Sequence, residues 1–385
     1  MAKAHGFPTV VMIGGGQLSR MTQQAAIALG VELKVLSQSP SDSAAQVVGE
    51  IFIGEHDDAA AINQIVVDAD VMTFDHEHVP LKIIRDLESR GVQVRPGSAA
   101  LAHAQDKVLM REKLTSFGIN QPKWRVVETV SDAADFANEV GYPFIVKVSR
   151  GGYDGRGVWV CKNENEVAEL LQTNLNDGVQ WLAEEFIPFE RELSAQVARS
   201  PRPQMVAYPV VETRQQDGMC SVVIAPAPNL SPERALEAQK MAMKIADALD
   251  VTGMLAVELF DTGEEILVNE LAMRPHNSGH WSIDGAITSQ FENHLRAVLD
   301  LPLGSPKSKN TWTVMVNVIG GDNADMYHAF DQSMAHDPHA KIHMYGKEIR
   351  KGRKIGHVNV SGEDLDDVMR RAQHAADYLI GNIKE

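Results

Sequence analysis

The sequence predicts an α/β and α+β chain in three blocks. These are a parallel sheet with helices on its faces, a central block of helices and antiparallel hairpins, and a small C-terminal β-rich block. Three observations carry this. Residues 9–95 alternate strand-like apolar runs with helix-like periodicity, the rhythm of βαβ units. Residues 144–161 and 253–272 each read as strand, glycine-bearing turn, strand. After the Pro/Ser/Lys segment "DLPLGSPKSKN", short strands with turn residues between them dominate the remaining chain.

In the first block, residues 9–13 form a short buried strand, and residues 17–29 carry helical spacing that ends at Gly30. Residues 33–36 and 70–74 supply the second and third strands, and a helix runs from Pro80 to Gly91, ahead of "VQVRP". The second block opens with "QDKVLMREKLTSFGI", a helix closed by Gly118. "SDAADFANEVG" predicts a short helix with Ser131 as N-cap and Gly141 past its end. "FIVKV", "GVWV" and "WLAEEFI" predict strands. Ser231, Pro232 and Glu233 combine an N-cap, a first-turn proline and an early acid, and so open a helix. Its stripe of Ala238, Met241, Ala242, Ile245, Ala246 and Leu249 ends near Asp250. In the third block "TWTVMVNVIG", "AKIHMYGK" and "GRKIGHVNV" predict strands, and a helix spans about residues 363–379. No internal repeat or low-complexity tract is present.

At 385 residues, with 44% hydrophobic and 23% charged, the chain is expected to form two or three domains around an ample core. It carries 36 basic and 52 acidic residues, a net charge of −16, and no dense Lys/Arg run. That balance argues against a nucleic-acid or membrane-surface binder, so any anionic ligand must be held by a local cluster. The two cysteines, Cys161 and Cys220, form no Cys-x-x-Cys pair, which suits a reducing cytoplasm rather than a disulfide framework or structural zinc. The N-terminal apolar run leads straight into a glycine loop and does not resemble a signal peptide. Nothing elsewhere approaches ~18 uninterrupted apolar residues. A soluble cytoplasmic protein is expected.

Five constellations carry chemistry. Gly14-Gly15-Gly16-Gln17-Leu18-Ser19 lies between a strand and a helix, where backbone N–H groups favour an anion. Ser19 replaces the last glycine of a dinucleotide fingerprint, and the second strand ends at Ser37 rather than at an acid. A dinucleotide, a tight turn and an edge contact to a small ligand therefore all stay open. Asp75-His76-Glu77-His78 follows a strand at its C-terminal end, where open α/β sheets bind ligands. Its carboxylates read better as hydrogen-bond acceptors for ligand hydroxyls than its histidines do as half of a zinc site.

Lys147 ends a strand beside "GGYDGRGV", which is either a structural hairpin or a loop whose amides cover a phosphate. Glu258 and Glu270 lie on the two arms of a hairpin about Gly263. An odd-length turn pairs Glu258 near Val268 and puts both acids on one sheet face, whereas an even turn separates them. Two buried carboxylates with Asn269 suit Mg²⁺ brought by nucleotide phosphates, with Arg274, His276 and His280 as positive donors beside it. Lys347, Arg350, Lys351, Arg353 and Lys354 form a cationic knot around Gly352, either a solvated turn or a clamp for a sugar phosphate.

"GGGQLSRM", "TFDHEHVP", "KVSRGGYDGRGVW", "YPVVETRQQDG", "VNELAMRPHNSGHW" and "YGKEIRKGRKIGHVN" occur in order over nearly the whole chain. Together they resemble the 5-(carboxyamino)imidazole ribonucleotide synthase family of the ATP-grasp superfamily. The resemblance implies a pre-ATP-grasp domain over 1–104 and a two-lobed ATP-grasp domain over 105–305, with a lid at about 120–185. A C-terminal β-rich domain would cover 306–385. It also implies a homodimer and a purine-biosynthetic ligase that uses ATP, Mg²⁺, bicarbonate and 5-aminoimidazole ribonucleotide.

Carried over by motif, Lys107 and Lys147 contact ATP phosphates beneath a lid of Gly152, Tyr153, Asp154, Gly155, Arg156, Gly157 and Val158. Glu184, Glu185, Phe186 and Ile187 resemble the hinge that reads adenine through backbone groups. Glu192 holds the ribose, Gln215, Asn269 and Glu270 add nucleotide contacts, and Glu258 with Glu270 holds the metal. Gln17, Leu18 and Asp75 fall near the ribose of the ribonucleotide, and Lys347, Arg353 and Lys354 at its phosphate. Tyr153, Asp154, Arg156, Arg274 and His276 line the reacting centre, where His276 and Asp154 are candidates for the amine proton. Asp75 stands where the family commonly has Glu, and Ser19 where Gly is commoner. A formate-dependent glycinamide ribonucleotide transformylase and a nucleotide-binding regulator without catalysis are the competing readings.

Overall fold

The computed structural model describes residues 6–151, 157–174, 179–202, 204–321, 323 and 325–383. Its strands form three sheets. The first is wholly parallel in the order β3-β2-β1-β4, from β1 (Thr9–Ile13), β2 (Glu32–Ser37), β3 (Glu50–Ile53) and β4 (Val71–Phe74). Its strands are short and almost uniformly apolar because both faces are covered. Val11 and Ile13 join a core that continues to Leu193 and Val197, while Val10 and Met12 pack with Phe291 and Leu295. β3 and helix Ala59–Ile65 were not anticipated from the sequence, and "VQVRP" contributes only a bridge from Val94 to Met72.

The second sheet is antiparallel, in the order β5-β8-β6-β7: β5 (Trp124–Val127), β6 (Phe144–Val148), β7 (Val158–Cys161) and β8 (Trp181–Glu185). Two helices, Val130–Val140 and Glu164–Asn174, belong to this lobe, whose core contains Phe136, Phe144 and Trp181. The first helix begins two residues earlier than expected. Thr129, not Ser131, is the N-cap, because Thr129 and Asp132 close a reciprocal capping box that satisfies two orphan donors.

The third sheet has nine strands and runs across all the chain after residue 190. It contains β9 (Arg191–Arg199), β10 (Met205–Ala207), β11 (Val211–Gln216), β12 (Met219–Ala225), β13 (Gly253–Asp261), β14 (Ile266–Ala272), β15 (Trp312–Ile319), β16 (Lys341–Met344) and β17 (Lys354–Gly362). The order is β14-β13-β9-β11-β12-β15-β17-β16, with β10 on β9, and every pairing is antiparallel. β9 to β12 and helix His328–His336 were not anticipated. Ser231 caps helix Pro232–Ala248 as expected, and the last helix is Leu365–Ile380.

The hairpin of β13 and β14 departs from expectation in an instructive way. Asp261 pairs with Ile266, so the turn has four residues, an even length that by itself would put Glu258 and Glu270 on opposite faces. A β-bulge restores them. Leu259 pairs with Val268 but Glu258 pairs directly with Glu270, leaving Asn269 as the extra residue. The two acids share a face through the bulge, not through the turn.

Arg111, on helix Lys107–Ser116, joins the second and third sheets. Its fully buried guanidinium donates from Nε to Glu184 Oε1 at 2.7 Å. It also donates to the carbonyls of Val268 and Asn269 at 2.7 and 2.9 Å, the peptides of the bulge. Lys147 Nζ reaches Glu184 Oε2 at 2.7 Å. Burial alone would raise the Glu184 pKa, but the Arg111 and Lys147 charges outweigh it and hold the carboxyl at about 2.

A depressed folded-state pKa stabilises the fold above the ordinary value of 4.5, and that stabilisation is lost as pH falls toward about 2. Thermal melts between those pH values should show the loss in the wild type. Glu184→Gln should start lower at pH 7, by about 3–5 kcal/mol for a broken buried pair, and show a flatter acid limb.

Candidate active site

Residues from the second and third sheets and from the loop after β4 converge on a cleft of about 680 Å³. Lys107, Lys147, Val158, Glu184, Glu185, Phe186, Ile187, Glu192, Gln215, Glu258, Asn269, Glu270, Arg274, His276 and Lys354 line it, as do His76, Glu77 and His78. The sequence-expected nucleotide residues are therefore brought together. Gly152, Tyr153, Asp154, Gly155 and Arg156 lie outside the described residues; Gly157 is described, with its carbonyl accepting from Val148 N–H at 3.0 Å.

The cations sit on separate elements and are held by acids of the site. Lys107 Nζ lies 3.0 Å from Glu270 Oε1, and Lys147 Nζ donates to Asn269 Oδ1 at 3.4 Å besides its contact with Glu184. Glu184 differs from its companions in the expected hinge. Its backbone is in mid-ladder, between Trp124 and Ile145, and its side chain is the buried partner of Arg111 and Lys147. Glu185 N–H is taken by the Lys123 carbonyl at 2.9 Å. β8 ends at Glu185, so of the four expected hinge residues Phe186 and Ile187 lie beyond the ladder.

Glu192 on β9 pairs with Thr213 on β11, and Gln215 two residues on hydrogen-bonds the Glu192 side chain. Burial raises the Glu192 pKa. At the floor, Glu258 is pushed up to about 8 by burial, then by the charges of Glu270 and Glu192. His276 Nδ1 receives Ser278 N–H at 3.4 Å, which leaves the ring proton on Nε2, 3.3 Å from Glu258 Oε1. Ser278 Oγ lies 2.8 Å from the same Nδ1 and contacts Ser194 and Gln196. Burial, then Arg274 and Lys354, lower His276 to about 3, so it is a neutral imidazole near pH 7.

A second group of expected residues gathers beside the cleft, at the N-terminus of helix Gln17–Leu29. Asp75 accepts from Gly16 N–H at 2.6 Å and Ser19 N–H at 3.1 Å. The helix amides that could have cradled a phosphate are thus met by a carboxylate of the protein itself. A Cβ at Gly16 would lie 2.1 Å from Asp75 Oδ2, so this approach requires glycine. Ser19 replaces the fingerprint glycine without disturbance, donating its hydroxyl to the Gly14 carbonyl at 2.6 Å. Asp75 is raised to about 6 by burial, against the pull of Arg274, these two amides and Lys347. Lys347 donates to Gln17 Oε1 and lies over the Tyr345 ring at 5.7 Å.

Leu18 has its side chain in the core, which leaves only its backbone for a ligand. Arg353 is exposed and donates to the Glu348 carbonyl at 3.4 Å, and Lys354 is in the cleft. The five basic residues of the knot therefore do not act as one cluster. Lys354 faces the cleft, Lys347 faces Gln17, and Arg350 pairs with Glu348.

Sequence reasoning missed Arg111, Tyr345, Ser43 and Gln46. Ser43 donates to the Tyr345 carbonyl at 2.6 Å and Gln46 to the Gly346 carbonyl at 2.7 Å, tying the first sheet to the Lys347 segment. Their partners lie about 300 residues away in the chain, and no local pattern announces them. Among the described residues there is no group of three or more His, Cys, Asp or Glu that could hold a metal ion. No described helix is long and apolar enough to cross a membrane.

Comparison with known proteins bears on this arrangement. Family models match over three segments: the ribonucleotide synthetase preATP-grasp domain at residues 7–105, the ATP-grasp domain at 112–291, and the phosphoribosylaminoimidazole carboxylase C-terminal domain at 313–371. The chain is 50% identical over 380 residues to N5-carboxyaminoimidazole ribonucleotide synthase of Mycobacterium bovis, covering 97% of this chain and 88% of that protein. The synthetase structure from Thermus thermophilus is 35% identical with a TM-score of 0.88, covering 98% and 99%. An Aspergillus clavatus synthase solved with ADP and 5-aminoimidazole ribonucleotide is 31% identical, also at 0.88, covering 98% and 99%. With its parallel sheet, nucleotide cleft and C-terminal strands all matched, the chain belongs to the N5-carboxyaminoimidazole ribonucleotide synthase family, ATP-dependent ligases with an ATP-grasp domain.

Proposed function

We propose that this protein carboxylates the exocyclic amine of 5-aminoimidazole ribonucleotide. It would use ATP and bicarbonate and release ADP and phosphate. The observation that carries the reading is the cleft floor, where Glu258 stands opposite Glu270 with Lys107 and Lys147 close by. Family membership supplies the identity of the substrates. The relatives carry the synthase name over nearly the whole chain, which does not favour the formate-dependent alternative.

The residues fit a magnesium–nucleotide. Two carboxylates crowded enough to push one up to about 8 form the donor set a hard divalent cation relieves. With only these two acids, the remaining ligands would be phosphate oxygens and water. Bound there, Mg²⁺ supplies neutralisation of phosphate charge. Phe186 and Ile187 would present backbone groups to adenine, Glu192 and Gln215 would hold the ribose, and Lys107 and Lys147 the phosphates. The Lys147–Glu184 pair aims that lysine before the nucleotide arrives.

Bicarbonate oxygen would attack the γ-phosphorus, expelling ADP and forming carboxyphosphate, while Arg274 balances the developing charge. Carboxyphosphate then breaks down to CO₂ and inorganic phosphate, the CO₂ carbon is captured by the amine nitrogen, and the proton that nitrogen loses passes to the departing phosphate. His276, neutral and fixed through Nδ1, suits orienting the amine better than removing its proton, because a base of so low a pKa is weak. Asp75, Gln17, Lys347, Arg353 and Lys354 would hold the ribonucleotide. The homodimer, the cytoplasmic setting and the domain limits at 104 and 305 belong to the same reading and rest on the resemblance.

ADP release should rise with 5-aminoimidazole ribonucleotide plus bicarbonate. Release driven only by glycinamide ribonucleotide plus formate would overturn the reading. Glu258→Gln should weaken the Mg²⁺ dependence of ADP release by at least about 10- to 100-fold, the loss typical for groups one shell further from a metal. The same variant tests the carboxylate crowding. A raised folded-state pKa costs the wild type stability as pH rises from 4.5 to about 8, so metal-free melts should fall over that window and flatten in the variant.

A further inference from the structure

The loop after β4 carries two carboxylates, and they reach in different directions. Asp75 takes two amides at the N-terminus of helix Gln17–Leu29. Glu77, two residues later, reaches the end of β14. Its Oε2 accepts from Arg274 Nε at 2.7 Å and its Oε1 accepts from Met273 N–H at 3.2 Å. One carboxylate thus grips both the peptide and the side chain of successive residues, which fixes the guanidinium relative to its own backbone.

The grip is strong for physical reasons. Both partners are largely buried, with side-chain exposures of 14% for Glu77 and 23% for Arg274, so their charges are little screened. Glu77 is the largest influence raising the Arg274 pKa, ahead of Asp75 and Glu258. Of the five N–H donors of a guanidinium, Glu77 takes Nε–H and the Pro275 carbonyl one of Nη1, leaving three for an anion in the cleft.

We propose that Glu77 is a positioning residue. It holds Arg274 in the orientation that meets the bicarbonate and γ-phosphate oxygens, and it links this orientation to the loop that places Asp75 at the ribonucleotide. The inference rests on the functional reading above for the identity of those oxygens. The Glu77–Arg274 geometry does not depend on it.

The test compares wild type, Glu77→Gln and Glu77→Asp in two measurements. The first is ADP release at varied ATP with saturating ribonucleotide and bicarbonate. Glu77→Gln should lose about 10- to 100-fold in kcat, as expected for a misplaced catalytic group, with KM for ATP within about threefold. Glu77→Asp keeps the charge on a shorter arm and should recover part of that loss. The second is the rate of phenylglyoxal labelling at Arg274 in unliganded protein, read by peptide mass mapping, which should rise at least about threefold in Glu77→Gln. A Gln variant with near-wild-type kcat overturns the proposal. So does a kcat loss matched by a rise in KM for ATP and a fall in Tm, with unchanged Arg274 labelling in both variants. If the wild type shows no ribonucleotide-dependent ADP release, the functional reading fails, and the labelling comparison still decides whether Glu77 holds Arg274.

Discussion

The buried guanidinium of Arg111 is the constraint on which the site depends. It is the shared donor for Glu184 in the second sheet and for the two bulge carbonyls in the third. The bulge is what returns Glu270 to the face of Glu258, and Glu184 is what aims Lys147. One side chain therefore sets Lys147 and the acidic floor in one frame. Such an interaction is a specifier more than a source of stability. Charges this deep lose most of their solvation, and well-packed apolar groups of the same size often do as well. Breaking the pair on one side alone is the costly event.

The same logic recurs at lower burial. The chain has a net charge of −16, and the cleft concentrates Glu184, Glu192, Glu258 and Glu270 where two anionic substrates would bind. Three of these acids show how the conflict is resolved. Glu184 is neutralised by two cations and stays ionised far below its ordinary range. Glu192 and Glu258 lack that compensation and are raised. The site is thus arranged for added positive charge at the Glu258 end, while the other end already has its cations in place. Asp75 and Glu77 extend the pattern to the first sheet, each spending both oxygens on donors of the protein.

Several parts were legible in the residues alone. The parallel sheet follows from short, uniformly apolar strands alternating with amphipathic helices, and the cap at Ser231 from a local motif. Several residues that meet in the cleft, among them Lys147, Gln215, Glu270 and Arg274, were legible because they lie in short motifs whose order along the chain resembles that of the family. The strands of residues 191–225 are flanked by β13 and β15 from later segments, and the Asp217-Gly218 turn that joins β11 to β12 was passed over although it is a local hairpin signal. The capping box at Thr129 lies two residues before an equally plausible serine. The hairpin parity was misjudged because a bulge is a property of the ladder, not of the turn sequence.

The sequence by itself determined which residue types were available, which local elements they form and to which family the chain belongs. Those properties depend on neighbours within a turn or a strand. Tertiary structure alone decided that Glu258 faces Glu270, that Arg111 spans two sheets, and that Glu77 grips an arginine 197 residues away. Contacts of that range leave no periodicity in the chain. They arise only once the apolar cores have brought the sheets together and left these charged groups no solvent in which to find other partners.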